Sequence, residues 1–405
     1  MRNWPALAIG GSVALAVYFF ATSSARSAPT VASTHVQTSL SSVLKRIASQ
    51  TQAVESDPKG AIGWRLLSDS LLHAAELTDS DEFGKKALQA AERSFSLRQS
   101  NNSAALHSKA KALLQQHRFK EAFETAVLAS KIEPSPASDR LVTDCALEIG
   151  QYKIASSRLA ASPPSKDDAG GMVQTARLYE VRGQVDEARK LYVKATEVAD
   201  RRLDWTDNSA AWYHEQLGLF ELKYGNLKEA ESALKSATML SERRPRALAG
   251  LAKIAARRQQ FDLALQLCDQ SLNVFELTDV QWLKADILDQ LGKKDESEPL
   301  VKKIREENGV GHSHGAGSHV HEGRHTHNRL FLIGLLARKE DPKLALHLAQ
   351  GDYHDRQDIT AAANLALAYS RNGRMAEAKK YLGIAMATGS KDPFIESVKS
   401  EVAGL

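Results

Sequence analysis

The chain has very little cysteine: Cys145 and Cys268 are the only two in 405 residues. That excludes a disulfide framework and any cysteine-based zinc motif. Each sits inside an apolar helical pattern, the setting of a small buried hydrophobe. Aromatic residues are scarce at 6%, while Ala and Leu abound, a balance that points to helices. No charge of one sign dominates either, since 53 basic residues face 49 acidic ones for a formal +4. Binding nucleic acid by electrostatics would need a concentrated basic face, so no nucleic-acid partner is expected. There is no glycine-rich phosphate loop: "AIGGSV" lies in the apolar N-terminus and is not G-x-G-x-x-G. No Ser, Cys or Asp sits in a nucleophile motif, and His73, His107 and His214 are scattered over amphipathic helices. No catalytic constellation emerges, and the chain is expected not to be an enzyme.

The one long apolar run is at the start. "WPALAIGGSVALAVYFFA", from Trp4 to Ala21, carries no charge. As a helix it would span about 27 Å, close to a hydrocarbon core. Arg2 supplies a positive flank, and Ser23-Ser24-Ala25 offers small residues for cleavage. Residues 1–25 therefore read as a signal peptide or an uncleaved transmembrane anchor. Either reading exports the rest of the chain, and an uncleaved helix would make the membrane a partner. Residues 26–59 read as a Ser/Thr/Ala/Pro-rich tether and an amphipathic helix with Leu40, Val43, Leu44 and Ile47 at helical spacing. It ends before the turn signal "SDPKG".

Beyond that turn the sequence repeats. "GQYKIASSRL", "GQVDEARKLY", "GNLKEAESAL" and "GRMAEAKKYL" each place Ala five residues after Gly: Gly150/Ala155, Gly183/Ala188, Gly225/Ala230 and Gly373/Ala378. Gly292/Ser297 is a weaker fifth, and Ala122 and Ala264 keep the small residue without the Gly. A second helical pattern precedes each Gly, so the unit is helix, short turn, helix, with a period near 34 residues. Gly supplies a left-handed turn without steric cost. Small residues such as Ala188, Ala230 and Gly218 let helices approach, and Leu217, Tyr192 and Leu234 fill the space between.

This pattern resembles the tetratricopeptide repeat family. About nine units start near residues 61, 103, 136, 169, 211, 245, 278, 329 and 359, the first with a long inter-helix turn. The resemblance implies an all-α, right-handed α-solenoid after an N-terminal apolar helix. Units 1–7 would occupy 60–308, and units 8 and 9 with a C-terminal tail 329–405. The blocks "AAWYHEQLG", "RALAGLAKIAA", "RQDITAAANLALAYSRNGRMAEA" and "ATGSKDP" further resemble a group of exported bacterial tetratricopeptide proteins. That implies a cell-envelope location, inner-membrane-anchored or periplasmic. In that group the seventh unit passes into the eighth through a short linker, so residues 309–328 read here as a flexible insertion between helices.

A solenoid of this kind holds a protein or peptide partner in a concave groove lined by the first helix of each unit. Arg246, Lys253 and Arg257 share one face of the sixth first helix; Trp282, Asp286 and Asp289 share one of the seventh; Trp212 and Glu215 open the fifth. They suggest an aromatic-and-acid strip beside a basic strip. The alternative is that the charges pair across adjacent helices and the tryptophans are core. The paired Lys and Asn with which some cochaperones of this family clamp a carboxylate have no match at His107/Lys111, Arg140/Asp144, Val173/Arg177, Glu215/Leu219 or Ala249/Lys253, and that function is not expected here.

The insertion holds six of the thirteen histidines: His312, His314, His319, His321, His325 and His327. Neutral imidazole suits Zn, Ni or Cu. With no Cys and little acid beside them, these pairs do not form a closed structural zinc site. No cofactor is required. The alternative function is a divalent-metal binding or handling protein acting through residues 312–327.

Overall fold

A computed structural model describes residues 40–78, 80–202, 206–308 and 325–404. Twenty α-helices and no β-strand lie among the described residues. After α1 (Leu40–Ser56) come nine antiparallel pairs. The first four are α2 (Ala61–Thr78) with α3 (Asp81–Leu97), α4 (Ser103–Gln115) with α5 (Phe119–Ile132), α6 (Pro136–Glu148) with α7 (Tyr152–Ala161), and α8 (Ala169–Val181) with α9 (Val185–Arg201). The next three are α10 (Asp207–Lys223) with α11 (Leu227–Leu240), α12 (Pro245–Arg257) with α13 (Phe261–Val274), and α14 (Thr278–Gln290) with α15 (Lys294–Glu307). The last are α16 (His325–Arg338) with α17 (Pro342–Asp355) and α18 (Ile359–Arg371) with α19 (Met375–Met386), and α20 (Pro393–Ala403) caps the end. Successive helices pack on one another, except that α16 packs back on α14 rather than on α15, the arrangement of an all-α solenoid.

The turn within eight of the nine pairs, all but the first, is set by one left-handed residue. Gly150, Gly183, Gly225, Gly292 and Gly373 have φ of 75°, 71°, 85°, 74° and 72°. The units without glycine adopt the same conformation at His117, Gln259 and Lys339, with φ of 61°, 59° and 57°. The following residue donates its N–H to the carbonyl five positions back, as Gln184 does to Tyr179 at 2.9 Å and Gln260 to Ala255 at 3.0 Å. This satisfies carbonyls that the helix end leaves open.

Helix faces pack through small residues. Leu234 of α11 is fully buried in a slot formed by two glycines. A Cβ at Gly218 of α10 would lie 2.6 Å from its Cγ, and one at Gly250 of α12 would lie 2.7 Å from its Cδ1. Ala188 and Ala230 are likewise at 0% exposure.

Three local expectations change. The first unit has no long turn: α2 runs to Thr78 and α3 begins at Asp81, capped by Ser80. The extra residues, rich in Ala, Leu and Glu, extend the helices instead. The fifth unit begins at Asp207 rather than near 211. The eighth begins at His325, so the third histidine pair belongs to α16 and not to the linker.

The chain also closes on itself, which no repeat pattern announces. The α17–α18 link sits on the turn of the third unit, and the α19–α20 link on that of the fourth. Arg356 Nε donates to the Glu148 carbonyl at 3.1 Å, and the Ile359 N–H donates to the Tyr152 hydroxyl at 3.0 Å. Lys223 Nζ lies 2.8 Å from Asp392. The contact is backbone-close: a Cβ at Gly150 would stand 2.3 Å from the Gln357 oxygen, and one at Gly183 would stand 2.2 Å from that of Gly389.

The apolar stretch Trp4–Ala21 and His312, His314, His319 and His321 lie outside the described residues. Among the described residues no helix is long and apolar enough to cross a membrane.

Candidate functional site

A cavity of about 560 Å³ opens where the turn ends of the first two units face the N-terminal ends of the fifth and sixth. One wall comes from Glu76, Ser80 and the 115–117 turn. The other comes from Asn208 and Trp212 of α10, the arginines 243, 244 and 246 around the start of α12, and Phe275. Trp212 is 37% exposed and meets Tyr213 edge-on, with ring centroids 4.9 Å apart. Glu215 also lines the space, but it is 3% exposed and already held by Arg244 at 2.8 Å. Arg243 and Arg246 are exposed. Of the sequence-predicted groove residues, the structure therefore brings Trp212, Glu215 and Arg246 together.

The others serve contacts between units. Lys253 Nζ lies 2.8 Å from Asp279 of the next unit. Burial works against the Asp279 charge, but the Lys253 ammonium outweighs it and the pKa falls below the usual carboxylate value. Arg257 donates to the Leu222 carbonyl at 3.1 Å. Trp282 is 3% exposed, stacked on Phe331 with centroids 5.9 Å apart, and seated on Gly334. Arg338 of α16 reaches back over it to hold Asp286, and Asp289 at 2.8 Å. Burial raises the pKa of Asp286 despite that guanidinium.

Register explains the division. Trp212 stands thirteen residues before the left-handed Gly225, and Arg246 thirteen before Gln259; both face the cavity. Glu215 and Trp282 each stand ten residues before theirs, Gly225 and Gly292, and both are buried. The two positions share a helix face, and counting back from the turn residue separates the exposed first turn of the helix from the buried second. Sequence reasoning missed Arg243, Arg244 and Glu76. The run "SERRPRA" carries a signal for the first two, three arginines around a proline that starts a helix. Glu76 is far away in sequence and only the coiling of the solenoid brings it in.

Chemistry elsewhere is quiet. Burial pushes the Cys268 thiol up to about 12 and the Cys145 thiol higher still, so neither is a nucleophile. His107 bonds to Ser138 at 2.9 Å and burial lowers its pKa. Among the described residues no group of three or more His, Cys, Asp or Glu side chains is placed to hold a metal.

A family model for the tetratricopeptide repeat matches residues 359–383, which are α18, its turn and most of α19. Nothing among the curated proteins matches the chain. Among solved structures, PilF of Pseudomonas aeruginosa aligns with a TM-score of 0.40 at 14% identity, covering 52% of this chain and 93% of its own. A human IFIT1 dimer with PPP-AAAA aligns with a TM-score of 0.48 at 15% identity, covering 82% and 73%. Tetratricopeptide-repeat proteins are in general non-catalytic scaffolds that bind protein partners. The matched unit shares its left-handed turn and its backward hydrogen bond with seven other helix pairs of this solenoid, so residues 359–383 are a tetratricopeptide repeat and those seven pairs are built on the same turn.

Proposed function

We propose that the protein is a non-enzymatic protein–protein interaction scaffold of the cell envelope, holding a segment of its partner in the cavity beside Trp212. The observation that carries this reading is the exposure of Trp212. Trp282 is buried in the core, whereas Trp212 presents a large aromatic surface in a concave space flanked by arginines. Aromatic and arginine side chains dominate the binding energy of protein interfaces, and they do so best in recessed positions that exclude water. Lys253, Asp286 and Asp289, by contrast, are occupied by ion pairs between units.

Export rests on the sequence of residues 1–25, as a cleaved signal or as an anchor that would gather the scaffold at the inner membrane. The metal reading of the tract from His312 to His327 likewise rests on sequence.

A photo-crosslinking amino acid at position 212 of the full chain, expressed in its own cells, tests the reading. A discrete protein adduct is expected at 212 and not at Leu263, which is 45% exposed on α13 and does not line the cavity. Equal labelling at the two positions, or none at 212, would remove the case for this site.

A further inference from the structure

The charges around the cavity do not cancel. Arg244 and Glu215 neutralise each other, with Arg244 Nη2 and Nε at 2.8 and 3.1 Å from the carboxylate. Arg243 and Arg246 are exposed on either side of that pair and neither makes a direct hydrogen bond or close ion pair among the described residues, although Arg246 lies near enough to help hold the Asp279 charge already gripped by Lys253. They bracket the start of α12, where Pro245 is the first helical residue and the N-cap, Arg244, makes no side-chain capping bond. The positive end of that helix dipole lies at the same wall of the cavity. The opposite wall offers one carboxyl group, Glu76. Burial raises its pKa, with His73 and Lys111 pulling it back down. Apolar surface is also present, in Trp212 and Phe275. A ligand matching this lining carries negative charge and an apolar side chain together.

We propose that the partner segment taken by the cavity is an acidic peptide, its carboxylates set against Arg243 and Arg246 and an apolar side chain set on Trp212. This rests on the reading of the cavity as the partner site and adds the chemistry of what enters it. The arginine fork suits carboxylates. A peptide fits better than a nucleic acid, because two exposed cations on a chain of balanced charge give little hold on a phosphate backbone.

The test uses the full chain and three fluorescein-labelled octapeptides, alternating Glu with Leu, Gln with Leu, and Lys with Leu. Fluorescence anisotropy should show binding of the Glu peptide, weaker by about 10-fold or more for the Gln peptide and absent for the Lys peptide. Raising salt to about 0.5 M should weaken it further. Arg243→Gln with Arg246→Gln should cost the Glu peptide about 10-fold while leaving the Gln peptide unchanged. Both positions are exposed, and circular dichroism of the variant should match that of the parent. Equal binding of the Glu and Gln peptides, each lost in Trp212→Ala, overturns the acidic inference and leaves the cavity standing. Glu-peptide binding that survives Trp212→Ala overturns both. So does failure of the Glu peptide to bind at about 1 mM, an affinity of only about 4 kcal/mol. Displacement of the Glu peptide by an oligouridylate of equal length reassigns the site to nucleic acid.

Discussion

Glu148 and Arg356 lie 208 residues apart in the chain and 2.9 Å apart in space. The pair ties the third unit to the link between the eighth and ninth. Arg177 holds the other Glu148 oxygen at 2.6 Å, and Arg356 also approaches Asp358 at 3.3 Å, which Arg329 grips at 2.8 Å. A solenoid built only of neighbour contacts has no such long-range bond. This network ties the last units of the ribbon of helix pairs back onto the third.

Replacing Arg356 with Met should therefore destabilise the protein by about 3 kcal/mol, because it leaves a half-buried carboxylate short of a partner. It should also loosen the closure, raising the radius of gyration by small-angle scattering with helix content unchanged. The same seam should weaken in acid. Burial raises the Glu148 pKa, but Arg177 and Arg356 outweigh it and hold the carboxyl below its ordinary value. A depressed folded-state pKa contributes stability that is present above the unfolded value and lost as pH falls through the folded one. Urea midpoints should thus fall below about pH 4.3, and the fall should be shallower in Arg356→Met. An identical pH profile in the two proteins would show that the pair does not govern the seam.

The turn glycines give a second, internal comparison. Gly150, Gly183, Gly225, Gly292 and Gly373 share one left-handed conformation, so alanine at any of them costs about 1 kcal/mol in strain. A Cβ at Gly225, Gly292 or Gly373 meets nothing within 4 Å, whereas at Gly150 and Gly183 it runs into the backbone of the closing segments. Gly150→Ala and Gly183→Ala should lose about 2 kcal/mol or more beyond Gly225→Ala in urea denaturation. Equal losses at all the sites would mean that the closure adds no stability.

Gln259 makes the opposite case. It holds φ of 59° without being glycine, and its side chain is exposed. Gln259→Gly removes left-handed strain of about 1–2 kcal/mol, and the added freedom of the unfolded chain offsets part of that gain. The variant should be more stable than the parent by about 0.5 kcal/mol, visible as a raised midpoint in urea. A lowered midpoint would show that the turn carries no strain at this residue.

The repeats were legible because each one writes the same local physics into the chain. Gly at the left-handed position and a small residue five further on recur, and Gly218 and Leu234 mark a close helix crossing without any structure. The units with His117, Gln259 and Lys339 hid the same turn, since there the packed helix pair imposes the conformation on residues that do not favour it. Trp282 and Trp212 looked alike as aromatic residues early in a first helix. Trp282 lies one helix turn nearer its glycine and is covered by Phe331 and Gly334 of α16, whereas Trp212 lines the cavity. The seam was not legible at all. Arg356 and Glu148 are ordinary charges in sequence, and only the coiling of the intervening units brings them together.

The histidine tract yields the last prediction, on solution chemistry. Six imidazoles in a Gly-rich stretch supply enough nitrogen donors for Zn²⁺, and only neutral imidazole binds. Calorimetry on the full chain at about pH 7.5 should show zinc binding tighter than about 100 μM, equivalent to about 5.5 kcal/mol. At about pH 5.5, one unit below the ordinary histidine pKa, roughly nine-tenths of the rings are protonated and the heat should vanish. Changing His312, His314, His319, His321, His325 and His327 to Ser should abolish binding at both values. Metal-free stability should stay the same, because the apolar core of the eighth unit is made by Phe331, Leu332 and Leu335, beyond the tract. If the six-Ser variant still binds zinc, the metal site lies elsewhere; if the parent shows no heat at 100 μM, metal handling is not what the tract is for.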